Sequence, residues 1–247
     1  MSYLKEVKFN WNSIPDTRNN EYPYNIPSLR GLDNIKLESN VTFFVGENGS
    51  GKSTLLEAIA RKCDFNIIGG KDSLIENPVN EDTLSSILML SWFPKIKNGF
   101  FFRSETLFDF ANYIDELAND PMIGRGQAYK SYGGKSLHEQ SHGESFISLF
   151  TNRFGKEGIY ILDEPEAALS PQNQLAFLRI IWQLEKESKA QFIIATHSPI
   201  LLGYPDAMIL TFDQNPIKKI DYESTYHYQV TKDFLNNRGK FFKYLFE

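Results

Sequence analysis

Short apolar runs separated by helix-length stretches of mixed character set the frame of the chain. The runs at 41–45, 159–162, 191–196 and 207–212 are apolar on both faces and too short for helices, so they predict strands buried inside a parallel sheet. Residues 3–10 and 35–45 also read as strands, with Asn/Pro-rich turns at 12–27 between them. Helical spacing appears at 53–62, and again through Leu107, Phe110, Tyr113, Ile114 and Leu117. A further helix starts around Ser141–Gly143 and runs through Phe146, Leu149 and Phe150. Ser170-Pro171 opens another, which carries Leu175, Leu178, Ile181, Trp182 and Leu184.

The middle of the chain breaks this rhythm. Residues 64–83 are rich in Gly, Asn, Asp and Pro and predict an irregular excursion, followed by apolar runs at 84–92 and 99–104. From Pro121 to His138 there is no acid, only Arg125, Lys130 and Lys135 among glycines, which predicts a mobile basic loop. The aromatic end, Phe241, Phe242, Tyr244 and Phe246, has near-helical spacing and is expected to pack on the core. Strands alternating with helices predict a single α/β domain over residues 1–247 with a mostly parallel central sheet and flanking helices. An N-terminal antiparallel β portion precedes the sheet, and a small helical lobe is inserted at about 64–140.

Composition changes this picture little. A chain of 247 residues with 41% hydrophobic and 23% charged positions is ordinary globular material, and a net charge of −5 gives no overall support for a nucleic-acid surface. The single cysteine, Cys63, excludes an internal disulfide framework and suits a reducing compartment as small core filler. The amino terminus lacks a signal-peptide apolar region, and the densest apolar stretch, Leu84 to Phe93, is only ten residues long and carries serines. These features predict a cytoplasmic chain with no direct membrane insertion. His138 and His142, four apart, have no Cys or third ligand nearby that would argue for zinc.

The chemistry sits at the ends of two strands. Gly46, Glu47, Asn48, Gly49, Ser50, Gly51, Lys52, Ser53 and Thr54 follow the strand 41–45 and precede a helix. Glycines at 46, 49 and 51 let successive backbone N–H groups point at phosphate oxygens, and the helix adds its positive N-terminal end. Lys52 is placed to reach β and γ phosphates, and the Ser53 hydroxyl to ligate the Mg2+ that accompanies a nucleoside triphosphate. The second strand, 159–162, ends in Asp163-Glu164 at the carboxyl edge of the sheet. Successive strand residues face opposite ways, so Asp163 can serve the metal through water while Glu164 polarises the attacking water.

Three more segments give these two sites a family context: Gln140-Ser141-His142-Gly143-Glu144 before the acid strand, Ala167-Ala168-Leu169-Ser170 after it, and Ala195-Thr196-His197-Ser198 after the next strand. In order and spacing the five motifs resemble the ATP-binding cassette (ABC) superfamily of ATPases, a P-loop NTPase fold, over most of residues 35–231. Asp-Glu-Pro-Glu and Ala-Thr-His-Ser-Pro look more like the soluble RecF/SMC-like and overcoming-lysogenization-type ATPases than transporter subunits. The run 141–146 and Tyr-His-Tyr-Gln-Val-Thr at 226–231 resemble a group of stand-alone bacterial ATPases.

The resemblance implies ATP and Mg2+, and a head-to-tail homodimer formed on ATP binding. In it Ser141, Gly143 and Glu144 of one subunit would meet the γ-phosphate held by the other. His197 would contact that phosphate and hold Glu164 and the water in place, and residues 167–170 would cross the dimer interface. The signature departs from Leu-Ser-Gly-Gly-Gln/Glu at Gln140 and His142. No clear glutamine joins the metal site to the lobe: Glu105 is the candidate substitute, with Gln127 and Gln140 behind it, and Tyr22 and Tyr24 are the candidates to stack on adenine. The expected activity is ATP hydrolysis used as a switch on an effector, protein or nucleic acid, in DNA repair or phage defence. The alternatives are a transporter's ATP-binding subunit and a nucleotide-dependent binding module with little turnover.

Overall fold

Alternate residues of the short apolar runs face opposite sides of one sheet, which divides the core in two. The computed structural model describes residues 2–65, 67–68, 83–140, 142–153, 157–187 and 190–246. Strand β1 is Leu4–Phe9, β2 Asn34–Lys36, β3 Val41–Val45, β4 Ile67–Ile68, β5 Leu88–Trp92 and β6 Gly99–Arg103. Strand β7 is Ile159–Asp163, β8 Gln191–Ala195, β9 Met208–Thr211 and β10 Lys218–Lys219. The helices are α1 Lys52–Lys62, α2 Leu107–Asn119, α3 Gly124–Ala128 and α4 His142–Arg153, then α5 Pro171–Glu187, α6 Pro199–Leu202, α7 Tyr226–Asn236 and α8 Arg238–Phe246.

The main sheet has the order β10-β9-β3-β8-β7-β6-β4, parallel except for the β10 edge strand. Phe43 on β3, Phe102 on β6, Leu162 on β7 and Ile194 on β8 face α2, α4 and α5 in one core. Their neighbours Phe44, Phe101, Ile161 and Ile193 face α1 and the N-terminal segment in the other. Burial of such side chains stabilises the fold by about 1.5–3 kcal/mol each. The sequence reading of an α/β architecture with a parallel centre and an antiparallel N-terminal portion matches this arrangement.

That N-terminal portion is a three-stranded antiparallel sheet, β2-β1-β5. Gln191, fully buried at the start of β8, ties it to the main sheet. Its Oε1 accepts from the backbone N–H groups of Tyr3 (2.9 Å) and Leu4 (2.8 Å), and its Nε2 donates to Leu4 O (2.9 Å). A buried amide bonded through both its oxygen and its nitrogen couples the two sheets.

Several expectations are revised. Within the stretch 64–140, β5 joins the N-terminal sheet and β4 and β6 join the central sheet, so the helical part runs from Ser104 to Glu139. Residues 121–138 are ordered: α3 and two single-turn 3-10 helices place Ala128, Tyr129, Tyr132 and Leu137 in the core. The missing acid is supplied by Asp115 on α2, whose carboxylate accepts from Tyr129 Oη (3.0 Å) and Ser136 Oγ (2.9 Å). The aromatic end does not pack on the core. Helices α7 and α8 bury no residue, and Phe234, Phe241, Phe242 and Phe246 pack on one another instead.

Cys63, at the end of α1, packs against the core on the α1 side, and burial, with Asp64 beside it, pushes its thiol up to about 12. The thiolate is the reactive form, so at pH 8 only about one thiol in ten thousand is ionised. Alkylation by iodoacetamide at pH 8 is therefore expected to be slow in the native protein and fast in urea, as read by intact mass. Equal rates in the two conditions would contradict the packing assigned to Cys63.

Candidate functional site

The strand β3 delivers the chain into a loop that only glycine can complete. Gly46, Gly49 and Gly51 have φ of 150°, 79° and 99°, and a Cβ on Gly51 would stand 2.7 Å from Ile26 Cγ2. The loop then runs into the N-terminus of α1, so the helix dipole and the loop's amides share one mouth. Lys52 is almost completely buried there, and its Nζ donates to Gly46 O (2.6 Å), Glu47 O (2.9 Å) and Ser50 Oγ (3.5 Å). Burial pulls its pKa down, and the carboxylates of Glu164, Asp213, Asp163 and Glu166 oppose that shift.

Ser53 and Asp163 come from different elements and meet: Ser53 Oγ donates to Asp163 Oδ1 at 3.0 Å. Two hard oxygen donors in contact below an anion-binding loop fit Mg2+, which takes few protein ligands and keeps the rest of its shell for phosphate and water. Asp163 is 4% exposed, and desolvation raises its pKa against the lowering effects of Ser53 and Arg103. Arg103, at the end of β6, donates from Nε to Asp163 Oδ2 (3.2 Å) and from Nη2 to Glu57 Oε2 (3.3 Å). Glu105 lies in the same cleft, but it is exposed and reaches the pair through Arg103 Nη1 at 3.5 Å.

Glu164 is held in a conformation that costs energy. Its φ and ψ are 50° and 51°, a left-handed backbone that non-glycine residues adopt where the surroundings enforce it. The enforcement comes from two sides: its N–H donates to Ala195 O at 2.9 Å, and its carbonyl accepts from Ser104 Oγ at 2.6 Å. The side chain is half exposed and stands 3.4 Å from His197 Nε2. His197 in turn is anchored through its own backbone N–H, which donates to Glu166 Oε1 at 2.6 Å. Its Nε2 is buried and makes no hydrogen bond.

Two adjoining clefts share Ser53 and Glu164. One, of about 520 Å³, is lined by Arg103, Glu105 and Asp163. The other, of about 680 Å³, is lined by Tyr22, Asn25, Pro27 and the loop from Asn48 to Thr54. Tyr22 is exposed at the second cleft, with its hydroxyl 3.0 Å from Thr54 Oγ1. Tyr24 is not: it is buried under Arg18, whose guanidinium lies 5.7 Å from the ring centre. Of the weaker glutamine candidates, Gln140 is engaged by its Nε2 with Tyr132 O at 3.2 Å and lies away from the clefts' lining.

The structure thus gathers Lys52, Ser53, Asp163, Glu164 and His197, while Gly143 and Glu144 of the signature segment line neither cleft. Ser141 lies outside the described residues. Gly143, in the first turn of α4, is buried with Asn173 and Ala168 as its nearest neighbours, and Glu144 is exposed. Residues that the sequence reading missed include Arg103, Glu166, His227 and Asp213, whose Oδ1 accepts from Glu47 N–H at 2.7 Å. A signal for two of them was available. Arg103 and Asp213 are charged residues at the carboxyl ends of parallel strands, where open α/β sheets bind ligands.

Comparison with known proteins finds relatives of the domain as a whole. Residues 24–74 match the family described as an AAA domain, and residues 136–202 match one described as an AAA ATPase domain. The energy-coupling factor transporter ATP-binding protein EcfA2 of Spiroplasma kunkelii is 25% identical over 214 residues, 79% of this chain and 68% of its own. The lipoprotein-releasing system ATP-binding protein LolD of Buchnera aphidicola subsp. Schizaphis graminum is 27% identical over 204 residues, 70% of this chain and 85% of its own. CbiO1 of Clostridium perfringens, part of the ABC transporter complex cbiONQ, shares the fold with a TM-score of 0.50 at 17% identity, over 96% of this chain and 97% of its own. On the α/β P-loop fold described above, this chain is therefore similar to ATPase domains of the AAA/ABC type.

Proposed function

We propose that the protein is a MgATP-driven switch: two copies close head to tail around two ATP molecules, and hydrolysis to ADP and phosphate reopens them. The observation that carries this reading is the meeting of Ser53 with Asp163 at 3.0 Å and of Glu164 with His197 at 3.4 Å beside one phosphate-sized loop. Mg2+, held by Ser53 and Asp163, would neutralise charge on the phosphates. Lys52 exchanges its bonds to the loop carbonyls for phosphate oxygens, Glu164 takes a proton from the attacking water, and His197 Nε2–H donates to the terminal phosphate.

In this reading Ser141, Gly143 and Glu144 complete the γ-phosphate site of the opposite subunit; within one chain α4 packs on α5 and the turn at Pro165–Ala168. A closed site made from two chains predicts that turnover per chain rises with protein concentration. Phosphate release measured over a dilution series should fall more steeply than in proportion to concentration. Strict proportionality down to nanomolar protein would contradict a shared site.

The load on the switch is an effector, protein or nucleic acid, that reads the open and closed forms. Among the described residues no helix is long and apolar enough to cross a membrane. A second reading, the ATP-binding subunit of a transporter, is favoured by the transport systems named for EcfA2 and LolD. Co-purification of the Glu164→Gln variant with an integral membrane protein separates that reading from co-purification with nucleic acid or a soluble effector.

A further inference from the structure

We propose that His227, from helix α7, is the positioning residue that fixes the tautomer of His197, so that the Nε2 of His197 carries the proton and faces Glu164 and the terminal phosphate. This inference rests on the reading of the site given above. His227 Nε2 lies 2.8 Å from His197 Nδ1, with the rings at 63° to each other. One proton lies between those two nitrogens, and there are two ways to place it.

If His197 Nδ1 holds the proton, His197 Nε2 presents a lone pair to the Glu164 carboxylate 3.4 Å away, which is repulsive. If His227 Nε2 holds it, His197 Nδ1 accepts and Nε2 carries an N–H toward that carboxylate, which is attractive. The second placement is therefore favoured, and it leaves His197 Nε2–H buried and without a hydrogen bond, ready for a ligand oxygen. The arrangement matches the way ligand histidines are oriented by a partner on their second nitrogen.

The surrounding groups favour a neutral His227. Burial, the neighbouring His197 and the Lys52 charge lower the pKa of His227, and Asp213 opposes them. Helix α7 is well placed to hold its histidine: Thr225 caps it by accepting from Tyr228 N–H at 3.4 Å, and Tyr222 Oη, just before it, donates to Pro199 O at 2.9 Å in the segment that follows His197.

The chain has four histidines, so long-range proton–nitrogen correlation spectra of the 15N-histidine-labelled, nucleotide-free protein can be assigned with single His→Gln variants. The expected spectrum has His197 protonated at Nε2 with an accepting Nδ1, and His227→Ala mixes the two tautomers. Turnover of His227→Ala should drop about 10- to 100-fold with a much smaller change in KM, and His227→Gln, whose amide N–H can donate in the same direction, should recover most of it. A His197 protonated at Nδ1 in the wild type would overturn the proposal, as would equal losses in the Ala and Gln variants. A wild-type protein that hydrolyses no ATP would defeat the proposed function alone, since the tautomer spectra decide the role of His227 without turnover.

Discussion

Glu164→Gln is expected to lower ATP turnover about 100- to 10,000-fold while leaving MgATP bound, because the amide keeps the shape of the side chain but loses the negative charge and with it the capacity to take a proton. The structure leaves the backbone of the site untouched by this change. Glu164 is positioned by its backbone, through Ala195 O and Ser104 Oγ, and neither bond involves the carboxylate. Its left-handed φ of 50° is equally accessible to glutamine at no greater strain. The side chain is half exposed, so the substitution buries no new unpaired group. Phosphate release under saturating MgATP is the measurement, with isothermal titration of ATP alongside. Turnover within threefold of wild type would remove Glu164 from the role of base, and lost ATP binding would mean that it serves the nucleotide instead.

Lys52→Ala acts on the other half of the site and should weaken ATP binding by about 100-fold or more, the loss of charge-assisted bonds worth about 1.5–3 kcal/mol each. The fold should survive it. The ammonium is buried against desolvation and bonds only to loop oxygens of Gly46, Glu47 and Ser50, so its removal takes away a charged group without undoing the strand or helix on either side. Those three bonds also account for the conformation of the loop: Lys52 occupies the space over its own carbonyls and has to leave them to meet phosphate. Titration calorimetry with ATP, together with circular dichroism to confirm the fold, tests this. An affinity within a few-fold of wild type would mean that the loop's amides hold the triphosphate by themselves.

What could be read from the sequence was whatever local geometry dictates. The glycines at 46, 49 and 51 announce a loop because positive φ and close approach leave few other residues, and Asp163-Glu164 announce a sheet edge because they end an apolar run. The parallel sheet followed from runs apolar on both faces. Groups that arrive from distant elements left no such trace. The 121–138 stretch looked mobile because it contains no acid, yet Asp115 reaches it from the preceding helix and orders two of its residues. The terminal aromatics looked like core, yet they satisfy one another in a two-helix hairpin, an alternative that periodicity does not distinguish from packing on the sheet. His227 could not be linked to His197, thirty residues earlier, until the hairpin's first turn was seen beside β8 and α6. Tyr22 and Tyr24, close in spacing, part company because the turn leaves Tyr22 exposed at the cleft and buries Tyr24 in the core.

The mass of the Glu164→Gln protein with MgATP, by size-exclusion chromatography with light scattering, tests the ATP-sandwich claim most directly. With ADP or no nucleotide the particle should have the mass of one 28.4 kDa chain, and with MgATP it should double. A single-chain mass at saturating MgATP, with ATP bound one to one, would contradict the shared site and with it the switch.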